Sequence, residues 1–210
     1  LEECKQLAAS ELEASEEDLE YHQGNFQVKG TRVGIGIFDL CSRQSGNSIS
    51  VKRKKELTGR SWPNGCHVAE VEIDAETGEV RLDRYVSVDD VGNTVNPMIV
   101  HGQVQGGIAS GLGQAVLERT EYDASGQLLS GSYMDYALPR ADDMPSLSGS
   151  LFEKAPCLTN PLGAKGTGEI GAVAGPPAIV HAVIDALAEK GITQVDMPLQ
   201  PQKIWECLNR

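Results

Sequence analysis

From Val91 to Leu117 the chain runs twenty-seven residues without an Asp, Glu, Lys or Arg, and that run carries glycine at 102, 106, 107, 111 and 113. A stretch this long and uncharged belongs either in a bilayer or inside a protein. Asn96-Pro97 interrupts it, and lipid would leave Gln103, Gln105 and Gln114 poorly solvated, so it reads as buried protein. At helical spacing, Met98–Leu117 forms a helix with three faces. Val104, Ile108, Leu112 and Ala115 make an apolar stripe; Gly102, Gly106, Ala109 and Gly113 a small-residue face; Gln103, Gly107, Ser110 and Gln114 a polar one. Each helical glycine costs roughly 0.5–1 kcal/mol relative to alanine, so five of them need a reason. Two remain open: tight packing of helix on sheet, or a backbone and a Gln103 amide lying beside a flat ligand.

The flanking segments read as hairpins mixed with helices, not as regular strand–helix alternation, which indicates an α+β fold of mixed sheets. His67–Asp74 and Glu79–Val88 alternate cleanly around an Ala75–Gly78 turn. Leu19–Tyr21 with Phe26–Val28, and Arg119–Asp123 with Gln127–Leu129, suggest further hairpins, and Leu147–Phe152 another strand. Helices are expected over Leu1–Ser15, over Pro177–Lys190 with Gly191 as its C-terminal cap, and around Trp205. Arg32–Gln44 is ambiguous, Lys52–Pro63 an exposed basic loop, and Asp89–Pro97 a loop whose Asp89-Asp90 pair reads as a solvated turn. The chain is taken as one domain over residues 1–210, with a sub-division into 1–63 and 64–210.

Charge narrows the function classes. Thirty acids against eighteen bases leave a net charge of -12, a field that repels phosphate backbones and anionic lipid, so neither nucleic acid nor membrane is an expected partner. Five scattered cysteines with no CxxC pair argue against a disulfide framework and for a reduced cytoplasmic setting. No signal peptide is visible in the acidic Leu1–Glu20, and a chain opening on Leu is expected to be a processed product or part of something longer.

Thr159–Pro177 carries most of the chemical information. Gly163, Gly166, Gly168, Gly171 and Gly175 surround one carboxylate, Glu169, and one cation, Lys165. A lone acid on a glycine-walled loop suits a general base, since poor solvation raises a carboxylate's pKa toward working pH; a surface turn with a solvated Glu is the plainer alternative. Gly166–Gly171 matches G-x-G-x-x-G, but Asn160-Pro161 stands where a strand should precede it and Pro176-Pro177 would fall inside the following helix, so a nucleotide-binding reading is set aside. His22, His67, His101 and His181 share no ligand spacing. Cys66 and His67 would point to opposite faces of a strand, which makes Cys66 structural.

Three segments in order, His101–Gln114 (HGQVQGGIASGLGQ), Gly131–Arg140 (GSYMDYALPR) and Asn160–Gly171 (NPLGAKGTGEIG), resemble the large subunit of the molybdenum hydroxylases, the family of xanthine dehydrogenase, aldehyde oxidase and aerobic carbon monoxide dehydrogenase. The resemblance runs from about His67 to Arg210 and more loosely back to Leu1. It implies a C-terminal molybdopterin-binding domain, with Glu169 as general base at a Mo–OH group and oxidation of an aldehyde, an N-heterocycle or carbon monoxide by water-derived oxygen. Gln103, Gly106, Gly107, Lys165, Gly166, Thr167 and Gly168 would line the cofactor, a molybdopterin in its cytosine dinucleotide form. The resemblance further implies partners: the upstream part of the same subunit, iron–sulfur and FAD units, and a small-molecule substrate. Because the upstream part completes the pocket, the isolated chain is expected to be inactive and to self-associate. Gln105, often Glu in relatives, departs from the pattern. A non-catalytic interface module retaining the fold is the competing reading.

Overall fold

Two long strands, β4 (Asn64–Ile73) and β5 (Val80–Asp90), form the hairpin on which the larger part of the chain is built, and the acidic turn between them is the one expected from sequence. The computed structural model describes every residue except Lys55, Leu57, Thr58 and Arg210, the first three of which lie in the expected Lys52–Pro63 loop. It divides into two compact units, Leu1–Glu56 and Leu57–Arg210. Mixed sheets and helices make the class α+β, as expected.

In the first unit α1 (Glu2–Glu11) is followed by β1 (Leu19–His22), β2 (Asn25–Val28), β3 (Gly34–Gly36) and α2 (Ile37–Ser42). The three strands form an antiparallel sheet in chain order. Ala8, Ala9, Leu19, Phe26, Ile35 and Leu40 form its core. α1 stops short of the expected Ser15: Glu13 turns left-handed at φ 50°, a conformation a helix interior does not accept.

In the second unit β6 (Leu147–Leu151) joins β5 in parallel, so this sheet is not made of hairpins alone. The register of β4 against β5 slips between Glu70 and Val71, where Asp83 is the extra residue on β5. This bulge reverses which side chains face inward. Val80 and Leu82 are buried before it; after it Tyr85, Ser87 and Asp89 are buried, and Val86 and Val88 turn outward beside Cys66 and Val68. Cys66, expected to be structural, is therefore an exposed residue of the outer face, while its neighbour His67 does lie on the opposite, buried side.

Two helices complete the unit: α3 (Pro97–Leu112, continued by a π-helical turn over Gly113–Leu117) and α4 (Ile170–Leu187), before a short α5 (Pro201–Leu208). The expected apolar stripe of α3 is buried, and α4 contributes Ile170, Ile179, Val183 and Leu187 to the same core. α4 starts seven residues earlier than expected, so Pro176 and Pro177 do lie inside it, and the proline objection raised against the G-x-G-x-x-G segment was wrong. Each proline withholds an N–H from the helix at a cost of about 3 kcal/mol or more. Packing on α3 holds the helix through that point. A Cβ built on Gly111 would meet Pro176 Cδ at 2.9 Å, and one on Gly107 would meet Gly171 Cα at 2.8 Å. The glycines of α3 are thus explained in part by close approach of a helix, where a sheet was expected. Ile170–Lys190 is long and apolar enough to cross a bilayer, but Gly171, Gly175 and Pro176 pack on α3 and Ile179, Val183 and Leu187 enter the core. The Arg119–Leu129 hairpin reduces to a single bridge, Tyr122 with Leu128, around a turn capped by Asp123.

Candidate functional site

A cavity of about 540 Å³ opens between the start of β4 and the start of α4. Trp62, Pro63, Asn64, Gly65 and His67 line one side; Gly166, Thr167, Gly168, Glu169, Ile170, Val173 and Ala174 line the other. Most of the lining is apolar, and Glu169 is its one carboxylate. Glu169 stands at the N-cap of α4, yet its side chain makes no capping hydrogen bond. The carboxylate is left free for another task. It is exposed, so the poorly solvated surroundings expected for it are not supplied by the residues described.

α3 meets this loop from the side. A Cβ built on Gly168 would lie 3.8 Å from Gln103 Oε1, which brings the Gln103 amide beside the glycine loop. Gly102, Gly106 and Gly166 face open space, with no atom within 4 Å of where a side chain would begin. Thr167 Oγ1 is buried with no hydrogen-bond partner among the described residues. An open Gly166, the unpaired Thr167 hydroxyl and the free Glu169 carboxylate line one concavity, with the Gln103 amide beside Gly168, and this set fits a bulky ligand with polar edges. Gly107 does not belong to this surface, because α4 backbone fills the space its side chain would take. Lys165 is also turned away: its Nζ donates to Asp90 Oδ2 at 2.5 Å.

The Asp89-Asp90 pair is the largest departure from expectation. Both carboxylates are buried, at 1% and 8% exposure, where a solvated turn was expected. Successive strand residues face opposite ways, so each finds its own partners. His67 Nε2–H donates to Asp89 Oδ1 at 2.9 Å, since a carboxylate only accepts, and Ser87 Oγ donates to Asp89 Oδ2 at 2.9 Å. His67 Nδ1 meets the Tyr85 hydroxyl, also at 2.9 Å. Burial, and then the Asp89 charge, push the Tyr85 phenol well up, so it stays protonated beside Nδ1. Burial also pushes the Asp90 carboxyl up, but the Lys165 ammonium and the Gly92 N–H outweigh it and hold the group below the usual carboxylate range. Sequence reading gave Asp89, Asp90 and His67 no role in a site, assigned Lys165 to the cofactor, and did not single out Tyr85 or Ser87. The available signal was a hydroxyl or carboxylate at every second position, Tyr85, Ser87 and Asp89, alternating with Val86 and Val88, opposite a histidine on the paired strand.

Comparison with known proteins gives concordant results. A family model described as "Molybdopterin cofactor-binding domain" matches residues 1–145. The 6-hydroxypseudooxynicotine dehydrogenase complex subunit gamma of Paenarthrobacter nicotinovorans is 32% identical over 98% of this chain and 27% of its own length. Reconstituted CO dehydrogenase from Oligotropha carboxidovorans superposes with a TM-score of 0.86 at 29% identity, over 98% of this chain and 26% of that one. Quinoline 2-oxidoreductase from Pseudomonas putida 86 gives 0.82 at 34% identity, over 100% and 28%. The chain therefore spans about a quarter of the length of these relatives.

Proposed function

Because the chain belongs to the molybdopterin cofactor-binding domain family, we propose that it is the segment of a molybdenum-dependent hydroxylase large subunit that supplies the catalytic base, Glu169. The observation that carries this reading is a carboxylate free of capping bonds on the wall of an apolar cavity, with the open Gly166 and an unpaired Thr167 hydroxyl beside it.

When bound, the molybdenum cofactor supplies the oxidation–reduction chemistry. The roles of this chain are simpler. Gly166, Gly168, Gly102 and Gly106 leave room for the cofactor's bulk, and the Thr167 hydroxyl and Gln103 amide can bond its polar edges. Trp62, Pro63, Ile170 and Val173 give the approach an apolar wall. Glu169 accepts the proton released as water-derived oxygen becomes nucleophilic toward the substrate carbon, a step worth typically 10²–10⁴-fold for a positioned base. The substrate is an aldehyde, an N-heterocycle or carbon monoxide. The cofactor carries the cytosine dinucleotide, and electrons leave through iron–sulfur and FAD units on partners. The substrate range and the existence of partners are supported by relatives named as a subunit of a complex, as a CO dehydrogenase and as quinoline 2-oxidoreductase.

The test is Glu169→Gln in the full-length enzyme. Turnover should fall by about 10²-fold or more with molybdenum content retained. Unchanged turnover would refute the assignment.

A further inference from the structure

Asp90 and Lys165 form a buried ion pair at one end of the loop that carries Glu169, and we propose that both are positioning residues for that carboxylate. The proposal rests on the reading of Glu169 as the base, and it concerns how the chain holds Glu169 in place.

The segment leading to Glu169 is pinned to the end of β5 by several bonds. Lys165 N–H donates to Val91 O at 2.7 Å, Asn93 N–H to Gly163 O at 2.9 Å, and the Asn93 amide to Leu162 O at 2.9 Å. The side-chain anchor is Lys165 Nζ on Asp90 Oδ2, with both side chains 11% exposed. At such burial the attraction is weakly screened, and neither charge can leave without stranding the other. Downstream, α4 is fixed by the contact of Gly171 with α3.

Glu169 thus lies on a four-residue span, Gly166 to Glu169, held at its two ends. Gly166 and Gly168 are exposed and conformationally permissive. Thr167 Oγ1 has no partner, and the Glu169 side chain makes no capping bond. Backbone bonds from Ile170 N–H to Thr167 O and from Val173 N–H to Glu169 O tie the span to the start of α4, but among the described residues no side-chain bond sets the carboxylate's position, so its placement depends on the two anchors. Of these, the upstream one ends in a salt bridge that a single substitution removes.

The full-length enzyme with its cofactor is the material for the test, with Lys165→Met, Lys165→Arg, Asp90→Asn and the Asp90→Asn/Lys165→Met pair. Lys165→Met should lower kcat on the order of tenfold or more, since small misplacements of a base are costly, with KM unchanged within about twofold. Molybdenum content should hold, and Lys165→Arg should recover most of the rate. Independently of turnover, amide exchange over Gly166–Ile170 should quicken on the order of tenfold or more while β4 and β5 amides keep their protection. In the Glu169→Gln background Lys165→Met should cost nothing further, because it acts through Glu169.

A normal kcat with unchanged loop exchange in Lys165→Met would overturn the proposal, as would an equal loss in both backgrounds or a loss fully matched by missing molybdenum. If Lys165→Met fails to fold, the double variant, which strands no buried charge, is read by the same loop exchange and kcat, with the same outcomes deciding. Full activity of Glu169→Gln alone would remove the base reading, while loop exchange would still decide whether the ion pair orders the span.

Discussion

His67 lines the cavity and bonds both Tyr85 and Asp89 behind it, and its replacement deprives a buried charge of a partner. With His67→Ala, Asp89 keeps the Ser87 hydroxyl but loses its imidazole while remaining buried. We expect a loss of about 3 kcal/mol in chemical denaturation, as for other buried charges deprived of a partner; a change under about 0.5 kcal/mol would show that the network contributes little. Asp90 makes a pH-dependent contribution whose sign follows from its depressed carboxyl. A group whose native pKa lies below its unfolded value stabilises the fold above that unfolded value, near pH 4, and loses the contribution as pH falls through the native one. Denaturation followed from pH 6 to pH 3 should therefore lose stability below about pH 4, and Lys165→Met should flatten that acid limb. An identical limb in the variant would mean the ion pair does not set it.

At the scale of elements, the glycines of α3 separate into two groups with opposite expected behaviour. Gly107 and Gly111 press against α4, and a Cβ on Gly171 would overlap Val104 O, so Gly107→Val or Gly171→Ala should destabilise by about 1–3 kcal/mol or more. Gly102 and Gly106 face open space, and alanine there should stabilise the helix by about 0.5–1 kcal/mol. If the open face receives the cofactor, Gly106→Ala in the full-length subunit should raise the unfolding temperature and lower molybdenum content together; a variant that gains stability and loads fully would place the cofactor elsewhere. Some of this was legible beforehand. The apolar stripe of α3 and the β4–β5 turn follow from periodicity and turn chemistry alone. The inward facing of Tyr85, Ser87 and Asp89 does not, because a bulge at Asp83 reverses a pattern whose valines, Val86 and Val88, point by simple alternation to the core. Nor does the start of α4, because local propensity at Pro176-Pro177 is overridden by glycine-on-glycine contact with α3, a tertiary effect with no local signature.

At the scale of the whole molecule, the chain spans about a quarter of its relatives, and the cavity it presents is open on the side where Glu169 is exposed. Tyr133, Met134 and Leu158 are at least nine-tenths exposed, at 90%, 93% and 94%. Large apolar side chains left bare in this way drive association. The isolated 210-residue chain should therefore sediment as oligomers at micromolar concentration and retain little molybdenum cofactor, while the full-length subunit retains it; a stable monomer that binds the cofactor tightly would show that the pocket is complete without the rest. The Glu169 loop was readable from sequence because glycine and a lone acid are local features. Its anchoring by Asp90 was not, because seventy-five residues separate the two halves of the salt bridge. The most direct measurement is anomalous scattering from crystals of the full-length subunit loaded with cofactor. We expect the molybdenum peak in the cavity between Trp62–His67 and Gly166–Ile170, with Glu169 as the nearest carboxylate of this chain. A peak outside that cavity, or one with another carboxylate nearer, would contradict the assignment.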